Sequence, residues 1–276
     1  MRTFLVTGAN SGLGATLTRM LAVRGHHVVM AVRDVNAGEE TRASILRAAP
    51  EARLEVEPLD LLDIASVRAL AAKVRDVDVL VNNAGVGLVR KALTPGGVVL
   101  PFATNHLGHF ALTALLFDRL AQRDDARVVT VTSFIVKRDR IDLSSIDGSR
   151  YDQRGAYAQS KLANLLFGVE LSRRSRAVKS ILAHPGMVMT PLQRKPQGLM
   201  GIASRAFSAL FARPVEYGAA ALLEAAIGDS ASGDLWGPGH AVGDPPLKET
   251  WRSMTDIEGA KALWRRSEEL TGISFL

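Results

Sequence analysis

Short apolar runs rich in β-branched residues alternate along the chain with longer segments whose apolar positions recur at helical spacing. Strands that alternate with helices of this length need crossover connections, which predicts a parallel sheet covered by helices on both faces. The strand runs are nearly all apolar, as is typical of strands buried on both sides. Seven strands are predicted, at Thr3–Thr7, His27–Val32, Leu54–Glu57, Val77–Val81, Arg127–Thr132, Ser180–Ala183 and Asp234–Trp236.

The segments between these strands predict the helices that cover the sheet. A last amphipathic stretch predicts a C-terminal helix, which Asp256 is expected to cap. No linker, internal repeat or low-complexity tract interrupts the alternation, so we expect one α/β domain over residues 1–276, a Rossmann-like doubly wound parallel sheet of about seven strands. The predicted helices lie near Leu13–Arg24, Ala37–Ala49, Ala65–Arg75, Phe102–Gln122, Ala156–Arg173, Val215–Ile227 and Ile257–Leu270.

Composition narrows the class of protein. The 276 residues include 47% hydrophobic and 22% charged side chains, which is ordinary for a globular protein with a sizeable core. Cysteine is absent, which excludes disulfides, thiol nucleophiles and Cys-ligated zinc and favours a cytoplasmic location. The 34 basic and 28 acidic residues give a net charge of +6, but the basic residues are scattered. We therefore expect no nucleic-acid partner.

Three stretches bear on targeting and membranes. Residues 1–6 lead directly into a glycine-rich turn, so no signal peptide is expected. The longest apolar-looking run, Phe110–Phe117, is about half as long as a bilayer-spanning helix, so no transmembrane segment is expected. Between Pro196 and Pro214 apolar residues recur at helical spacing. This pattern suits a substrate lid at about residues 191–214, a plain packed helix or a membrane-surface contact.

The first strand ends in the turn Thr7-Gly8-Ala9-Asn10-Ser11-Gly12-Leu13-Gly14, and a predicted helix follows at once. Glycine permits positive φ and close backbone approach. Main-chain amides at a helix N-terminus point their dipoles at an anion. The order of strand, glycine-rich turn and helix therefore suits the pyrophosphate of a dinucleotide. The alternative is that these glycines serve only close packing of the helix on the strand.

The turn resembles the TGxxxGxG turn of the short-chain dehydrogenase/reductases. Four further motifs agree in their order along the chain, and the resemblance covers nearly its whole length. They are Asn82-Asn83-Ala84-Gly85 with Asn105 after it, Ser133 after the fifth predicted strand, Tyr157-x-x-x-Lys161, and residues 185–190 after the sixth. The segments Asn105–Phe110 and Tyr157–Asn164 resemble the retinol-dehydrogenase-like branch of the family.

Tyr157 and Lys161 are four residues apart, so a helix places them on one face. Hydride transfer to a carbonyl leaves an alkoxide that must take up a proton, and a cation near a tyrosine favours its phenolate. The resemblance implies that Tyr157 is the acid/base, that Lys161 lowers its pKa and holds the nicotinamide ribose, and that Ser133 orients the substrate oxygen. It also implies that Asn105 supports a water-linked proton relay. Taken alone, Tyr157 and Lys161 would equally suit an ordinary amphipathic helix, and Asn105 would equally suit a buried backbone partner.

Arg33 follows the second strand, about 20 residues past the turn, where the adenosine ribose is recognised. A guanidinium there suits a 2′-phosphate, which favours NADP(H) over NAD(H). Asp34 beside it is the alternative, because a shift of one residue would bring an acid to the ribose. The resemblance implies that Asp60 and Leu61 contact the adenine. The expected cofactor-binding residues are Gly8, Asn10, Ser11, Gly12, Leu13, Gly14, Arg33, Asp60, Leu61, Asn83, Ala84, Gly85, Tyr157, Lys161, Pro185, Gly186, Val188 and Thr190.

These observations predict an NADP(H)-dependent oxidoreductase that interconverts a carbonyl and an alcohol on a lipophilic small molecule. The alternatives are an NAD-dependent alcohol dehydrogenase and a catalytically silent NADP(H)-sensing protein on the same fold. His106 and His109 lack a completing ligand, so we expect core histidines and no metal site. The resemblance also suggests a homodimer through the predicted helices Phe102–Gln122 and Ala156–Arg173.

Overall fold

A computed structural model describes residues 1–137, 139–188 and 213–276 of the chain. One sheet of eight strands runs through it in the order β3-β2-β1-β4-β5-β6-β7-β8. The first seven strands pair in parallel, and β8 joins the edge antiparallel to β7. The strands are β1 Thr3–Thr7, β2 His27–Val32, β3 Arg53–Pro58, β4 Val79–Asn82, β5 Arg127–Val131, β6 Lys179–Ala183, β7 Leu235–Gly237 and β8 Leu247–Glu249.

Helices cover both faces of this sheet, which confirms the predicted doubly wound α/β fold. The side chains of Asp63 and Asp256 accept hydrogen bonds from main-chain amides two or three residues later, so both cap helices, as expected for Asp256. The helices are α1 Gly12–Val23, α2 Val35–Ala48, α3 Ile64–Lys73, α4 (the consecutive segments Leu100–Phe102, Ala103–Leu107 and Gly108–Leu120), α5 Gln153–Arg174, α6 Val215–Ile227 and α7 Ile257–Thr271.

The sequence of the first strand shows why both faces of the sheet are apolar. Successive side chains of a strand point to opposite faces. Phe4 is accordingly buried against α1 residues such as Leu21, whereas Leu5 is buried in the cluster that contains Leu112 and Leu116 of α4. All of these side chains are almost fully buried. Two apolar layers therefore hold the sheet rigid and fix the positions of the loops at its edge.

The strand order reverses between β1 and β4, which are neighbours in the sheet although β2 and β3 separate them in the chain. In open parallel sheets a crevice forms where the order reverses, beyond the carboxyl ends of the strands. The turn after Thr7 and the loop after Asn82 meet at this crevice. The fold therefore brings together two of the motifs found in the sequence.

The C-terminal helix covers a face that the suggested homodimer would use. Trp264 of α7 is buried and stacks on Phe167 of α5 with ring centroids 5.7 Å apart. Residues 160–171 of α5 are all buried within the single chain, and Asp118 is the one position of α4 classed as exposed. The homodimer stays a prediction, and a dimer through these two helices would find little free apolar surface.

Strand β8 was not among the predicted strands because its three residues, Leu-Lys-Glu, contain neither a β-branched side chain nor an apolar run. The lid region at about residues 191–214 lies almost entirely outside the described residues. Within ranges 1–137, 139–188 and 213–276, no helix combines the length and the apolar character needed to cross a bilayer.

Candidate active site

The glycine turn after β1 has the geometry that a dinucleotide needs. Gly8 and Gly12 adopt positive φ values of 65° and 51°, which side chains rarely tolerate. A methyl group at Gly14 would overlap the main-chain oxygen of Gly8, so the start of α1 packs directly on the turn. The turn therefore leaves its main-chain amides open to the crevice at a helix N-terminus, where a phosphate is favoured.

Thr7 joins this turn to the loop after β4. Its Oγ1 accepts hydrogen bonds of 2.9 Å from the main-chain amides of both Asn83 and Ala84. The Asn83 amide group returns a bond of 2.7 Å from Nδ2 to the main-chain oxygen of Thr7. Three hydrogen bonds thus hold the two loops at the strand-order reversal in one arrangement.

Tyr157 and Lys161 lie one turn apart on α5 and both line the crevice. Lys161 is buried, and its Nζ donates a hydrogen bond of 3.2 Å to the main-chain oxygen of Val131, the last residue of β5. Ser133, two residues after Val131, forms a hydrogen bond with the Tyr157 side chain. The structure therefore brings Ser133, Tyr157 and Lys161 together at the end of β5.

Burial shifts the pKa values of both Tyr157 and Lys161. Burial raises the pKa of Tyr157 above its ordinary value, and the hydrogen bond with Ser133 opposes that rise. Burial also lowers the pKa of Lys161 to about 8. The expected lowering of the Tyr157 pKa by Lys161 is not found in this structure, in which burial raises that pKa. At neutral pH the phenol carries its proton, which is the form that donates to an alkoxide.

Asn105 lies behind the crevice and is not one of its lining residues. It sits in the π-helical turn Ala103–Leu107 of α4. Its Oδ1 accepts a hydrogen bond of 2.7 Å from the amide of Val86, while its Nδ2 donates to the Val86 oxygen and to Ser160 Oγ of α5. Asn105 therefore ties the loop after β4 to the helix that carries Tyr157, and the proton-relay role stays a prediction.

His109 links Asn105 to the glycine turn. Its Nδ1 lies 2.8 Å from the main-chain oxygen of Asn105, and its Nε2 lies 2.9 Å from Thr7 Oγ1. Burial lowers the pKa of His109 to about 4, so the ring is neutral near pH 7. A neutral ring donates from Nδ1 to the Asn105 oxygen and leaves Nε2 to accept from Thr7. His106 is buried too, with Nε2 2.7 Å from Ser267 Oγ.

The crevice has a volume of about 530 Å³, within the range of ligand pockets. Thr190, also expected at the cofactor, lies outside the described residues. Lining residues that the sequence did not single out for the cofactor include Ala31, Leu59, Val86, Thr104, Thr132 and Met187. The predicted site residues that line the crevice are Gly8, Asn10, Ser11, Gly12, Leu13, Gly14, Arg33, Asp60, Leu61, Asn83, Ala84, Gly85, Ser133, Tyr157, Lys161, Pro185, Gly186 and Val188.

Arg33 and Asp34 lie at the adenosine end of the crevice and differ in what they do there. The Asp34 carboxylate caps α2 by accepting a hydrogen bond of 3.0 Å from the amide of Ala37. The Arg33 side chain is exposed, and within the part of the chain that the structure describes it has no hydrogen bond or ion pair. The acid is therefore engaged by the helix, and the guanidinium is available to a ligand.

No cluster of three or more His, Asp or Glu side chains suited to a metal ion occurs among residues 1–137, 139–188 and 213–276. The residues present instead fit a dinucleotide, since Gly8 and Gly12 adopt positive φ values and line the crevice at the start of α1. When bound, a nicotinamide cofactor supplies or takes up the hydride. Ser133 and Tyr157 lie where they can bond to a carbonyl oxygen at the other end of the same crevice.

Comparisons with known proteins agree with this geometry. Retinol dehydrogenase 12 of Mus musculus is 35% identical over 280 residues, covering 98% of this chain and 86% of that protein. The short-chain dehydrogenase TIC 32 B, chloroplastic, of Brassica napus is 36% identical and covers 79% of this chain and 73% of its own. A solved structure of an uncharacterised protein from Mycobacterium Paratuberculosis has a TM-score of 0.81 and 41% identity, covering 100% of this chain and 95% of that one.

The family model described as short chain dehydrogenase matches residues 2–197, a span that contains the glycine turn, Ser133, Tyr157 and Lys161. Retinol dehydrogenase 12 of Mus musculus and of Homo sapiens each match over 98% of the chain. The chain therefore belongs to the short-chain dehydrogenase family, in its retinol-dehydrogenase-like branch, and is an oxidoreductase of carbonyl and alcohol groups.

Proposed function

We propose that the chain is an NADP(H)-dependent oxidoreductase that interconverts a ketone or aldehyde with an alcohol on a lipophilic small molecule. The observation that carries the proposal is the meeting of Ser133, Tyr157 and Lys161 in the crevice that begins at the glycine turn. A protein that only senses the nucleotide has no need of this trio.

Tyr157 is the acid/base of the proposed reaction. In the direction of reduction its phenol donates a proton to the alkoxide oxygen, and burial keeps that proton on the phenol until it is needed. Ser133 donates a hydrogen bond to the same oxygen and stabilises the charge that develops on it. Lys161 is a cation close enough to the phenol, in the proposed active complex, to stabilise the phenolate left behind.

Arg33 supports the choice of NADP(H). A 2′-phosphate on the adenosine ribose would meet an exposed, uncommitted guanidinium, and charge-assisted bidentate bonds of this kind are strong. The neighbouring Asp34 carboxylate is engaged through Oδ1 in capping α2. The residue before Arg33, Val32, is buried and offers no acid to the ribose.

Apolar side chains at the crevice support a lipophilic substrate. Phe134 and Met187 line the crevice and are 40% and 48% exposed, and Ile135 beside them is 44% exposed. Large apolar groups left in contact with water around a pocket mark a surface that a ligand covers. We further propose that the lid region at about residues 191–214 completes the substrate side and that the protein acts in the cytoplasm.

A panel of lipophilic ketones and aldehydes, with the oxidation of NADPH or NADH followed by absorbance, tests the proposal. We expect turnover of several members with NADPH. Substitution Arg33→Ala is expected to raise the KM for NADPH by about tenfold to a hundredfold and to leave the KM for NADH unchanged, since one charge-assisted bond is lost. Arg47→Ala, an exposed arginine near the end of α2, is the matched control and should change neither constant.

Two results would contradict the proposal. An unchanged preference for NADPH in Arg33→Ala would remove this residue from nucleotide recognition. Tight binding of NADPH with no turnover of any carbonyl or alcohol in the panel would favour the nucleotide-sensing alternative.

A further inference from the structure

Two loops bound the catalytic end of the crevice. One follows β5 and carries Ser133, a single turn at Phe134–Val136, and Lys137. The other follows β6 and runs from His184 to Val188, with Pro185, Gly186, Met187 and Val188 lining the crevice. Both loops are bonded to one side chain that does not line the crevice, Glu249 at the end of the antiparallel edge strand β8.

His184 connects Glu249 to the second loop. The main-chain amide of Gly186 donates a hydrogen bond of 3.1 Å to His184 Nδ1. Because Nδ1 accepts, the proton of the neutral ring is on Nε2, which donates across 2.9 Å to Glu249 Oε1. The His184 side chain is only 3% exposed, so the ring has little freedom to find other partners. The carboxylate therefore selects the tautomer that holds Gly186, whose φ is 67°.

The other carboxylate oxygen of Glu249 reaches the first loop. Its Oε2 accepts hydrogen bonds of 2.9 Å from Lys137 Nζ and 2.6 Å from Trp251 Nε1. Burial alone would raise the pKa of Glu249, but the bonds from Trp251, Lys137 and His184 hold that pKa at about 2. Glu249 is therefore an anion with three donors at any pH at which the protein is assayed.

Gly237, the last residue of β7, makes room for this arrangement. A methyl group at this position would overlap both Glu249 Oε1 and His184 Nε2. The His184–Glu249 bond thus passes directly over a position that has no side chain. A single added carbon there is expected to separate the two groups without altering either of them.

We propose that Glu249 is a positioning residue for cofactor binding: through His184 and Lys137 it sets the loop from His184 to Val188 against the loop that carries Ser133. This proposal rests on the part of the proposed function that places a nucleotide in the crevice. It does not depend on whether that nucleotide is NADP(H) or on the identity of the substrate. Without the carboxylate, His184 Nε2 loses its acceptor, the ring is free to change tautomer, and the Gly186 amide loses its partner.

Binding of NADPH and of NADH in the absence of substrate tests this proposal. In Glu249→Ala the Kd of whichever nucleotide the wild type binds is expected to rise about five- to tenfold, because one charge-assisted tie of the loop is lost. Glu249→Gln should recover only part of the affinity, since its amide oxygen still accepts from His184 Nε2, whereas its NH2 group cannot accept from Lys137. Lys248→Met on the same strand is the matched control; Lys248 bonds to Asp234 instead, and its loss should leave the Kd unchanged.

Gly237→Ala is the second variant and keeps every polar group. It is expected to raise the Kd as Glu249→Ala does. NMR of isotope-labelled histidine should show His184 Nδ1 without a proton in the wild type. In Glu249→Ala and in Gly237→Ala it should show a mixture of the two tautomers of His184. Wild-type Kd values in Glu249→Ala or in Gly237→Ala would overturn the proposal, as would equal losses in Glu249→Gln and Glu249→Ala. If the wild type binds neither nucleotide, both this proposal and the proposed function are contradicted.

Discussion

Substitution of the buried Lys161 by methionine is predicted to stabilise the protein while it abolishes activity. Lys161 is 4% exposed, and burial lowers its pKa from 10.5 to about 8. That difference corresponds to about 3 kcal/mol of unfavourable free energy for keeping the ammonium charged in the folded state near pH 7. A methionine of similar length removes this cost but also removes the hydrogen bond to Val131, which contributes about 1 kcal/mol. The net gain is about 2 kcal/mol.

The pH dependence of unfolding independently tests whether Lys161→Met is more stable than the wild type. Between pH 8 and 10.5 the unfolded chain binds a proton at this position that the folded chain has released. The stability of the wild type therefore rises with pH through this window, and the advantage of Lys161→Met shrinks there. The measurement is urea unfolding of both proteins near pH 7 and near pH 10, with equal m-values as the sign of a common denatured state.

Lys261→Met is the control for this prediction. Lys261 is 38% exposed and pairs with Glu258 on the surface of α7, so its loss should change stability by less than about 1 kcal/mol. A Lys161→Met protein that is less stable than the wild type near pH 7 would refute the reasoning. A gain that persists unchanged near pH 10 would refute it equally, because burial of a charge would then not be the cause.

Two further predictions concern the glycine turn and Asp125, which lies just before strand β5 at the opposite end of the sheet's strands. Gly14→Ala should lose nucleotide binding and about 1–3 kcal/mol of stability, because its methyl group overlaps the main chain of the turn. Calorimetric titration and thermal melts check this. Gly96→Ala, whose methyl group would meet only Thr94 Oγ1 at 3.8 Å, should be neutral. Burial alone would raise the pKa of Asp125, but hydrogen bonds from Lys179 and Arg127 hold it at about 2. Asp125→Asn should therefore lose about 2 kcal/mol at neutral pH, a deficit that disappears as pH falls from 3.8 to about 2 and is measurable by chemical unfolding. A deficit independent of pH would contradict this account.

Most of the scaffold could be predicted because its signals are local. The apolar runs at Thr3–Thr7 and His27–Val32 coincide with β1 and β2, and the glycine turn reads directly from its spacing. The motif at Tyr157 and Lys161 likewise depends only on the pitch of one helix. These features need no knowledge of distant contacts, so periodicity and residue type suffice.

The rest of the site depends on partners far apart in the chain. Asn105 bonds to Val86 and Ser160, and no local pattern shows that a π-helical turn places it between the loop after β4 and helix α5. The contact of His184 with Glu249 joins residues 65 positions apart through a strand too short to predict. The pKa of Tyr157 was expected to be lowered by Lys161, whereas burial, which is a property of the packed fold, raises it.

The central claim is that the Tyr157 phenol exchanges the proton in a crevice built to bind the nucleotide. The most direct measurement is kcat and nucleotide Kd for Tyr157→Phe, with a carbonyl that the wild type reduces. We expect kcat to fall at least about a hundredfold and the nucleotide Kd to change by less than about threefold, because the hydroxyl acts on the substrate oxygen. Retention of most of the wild-type kcat in this variant would contradict the account.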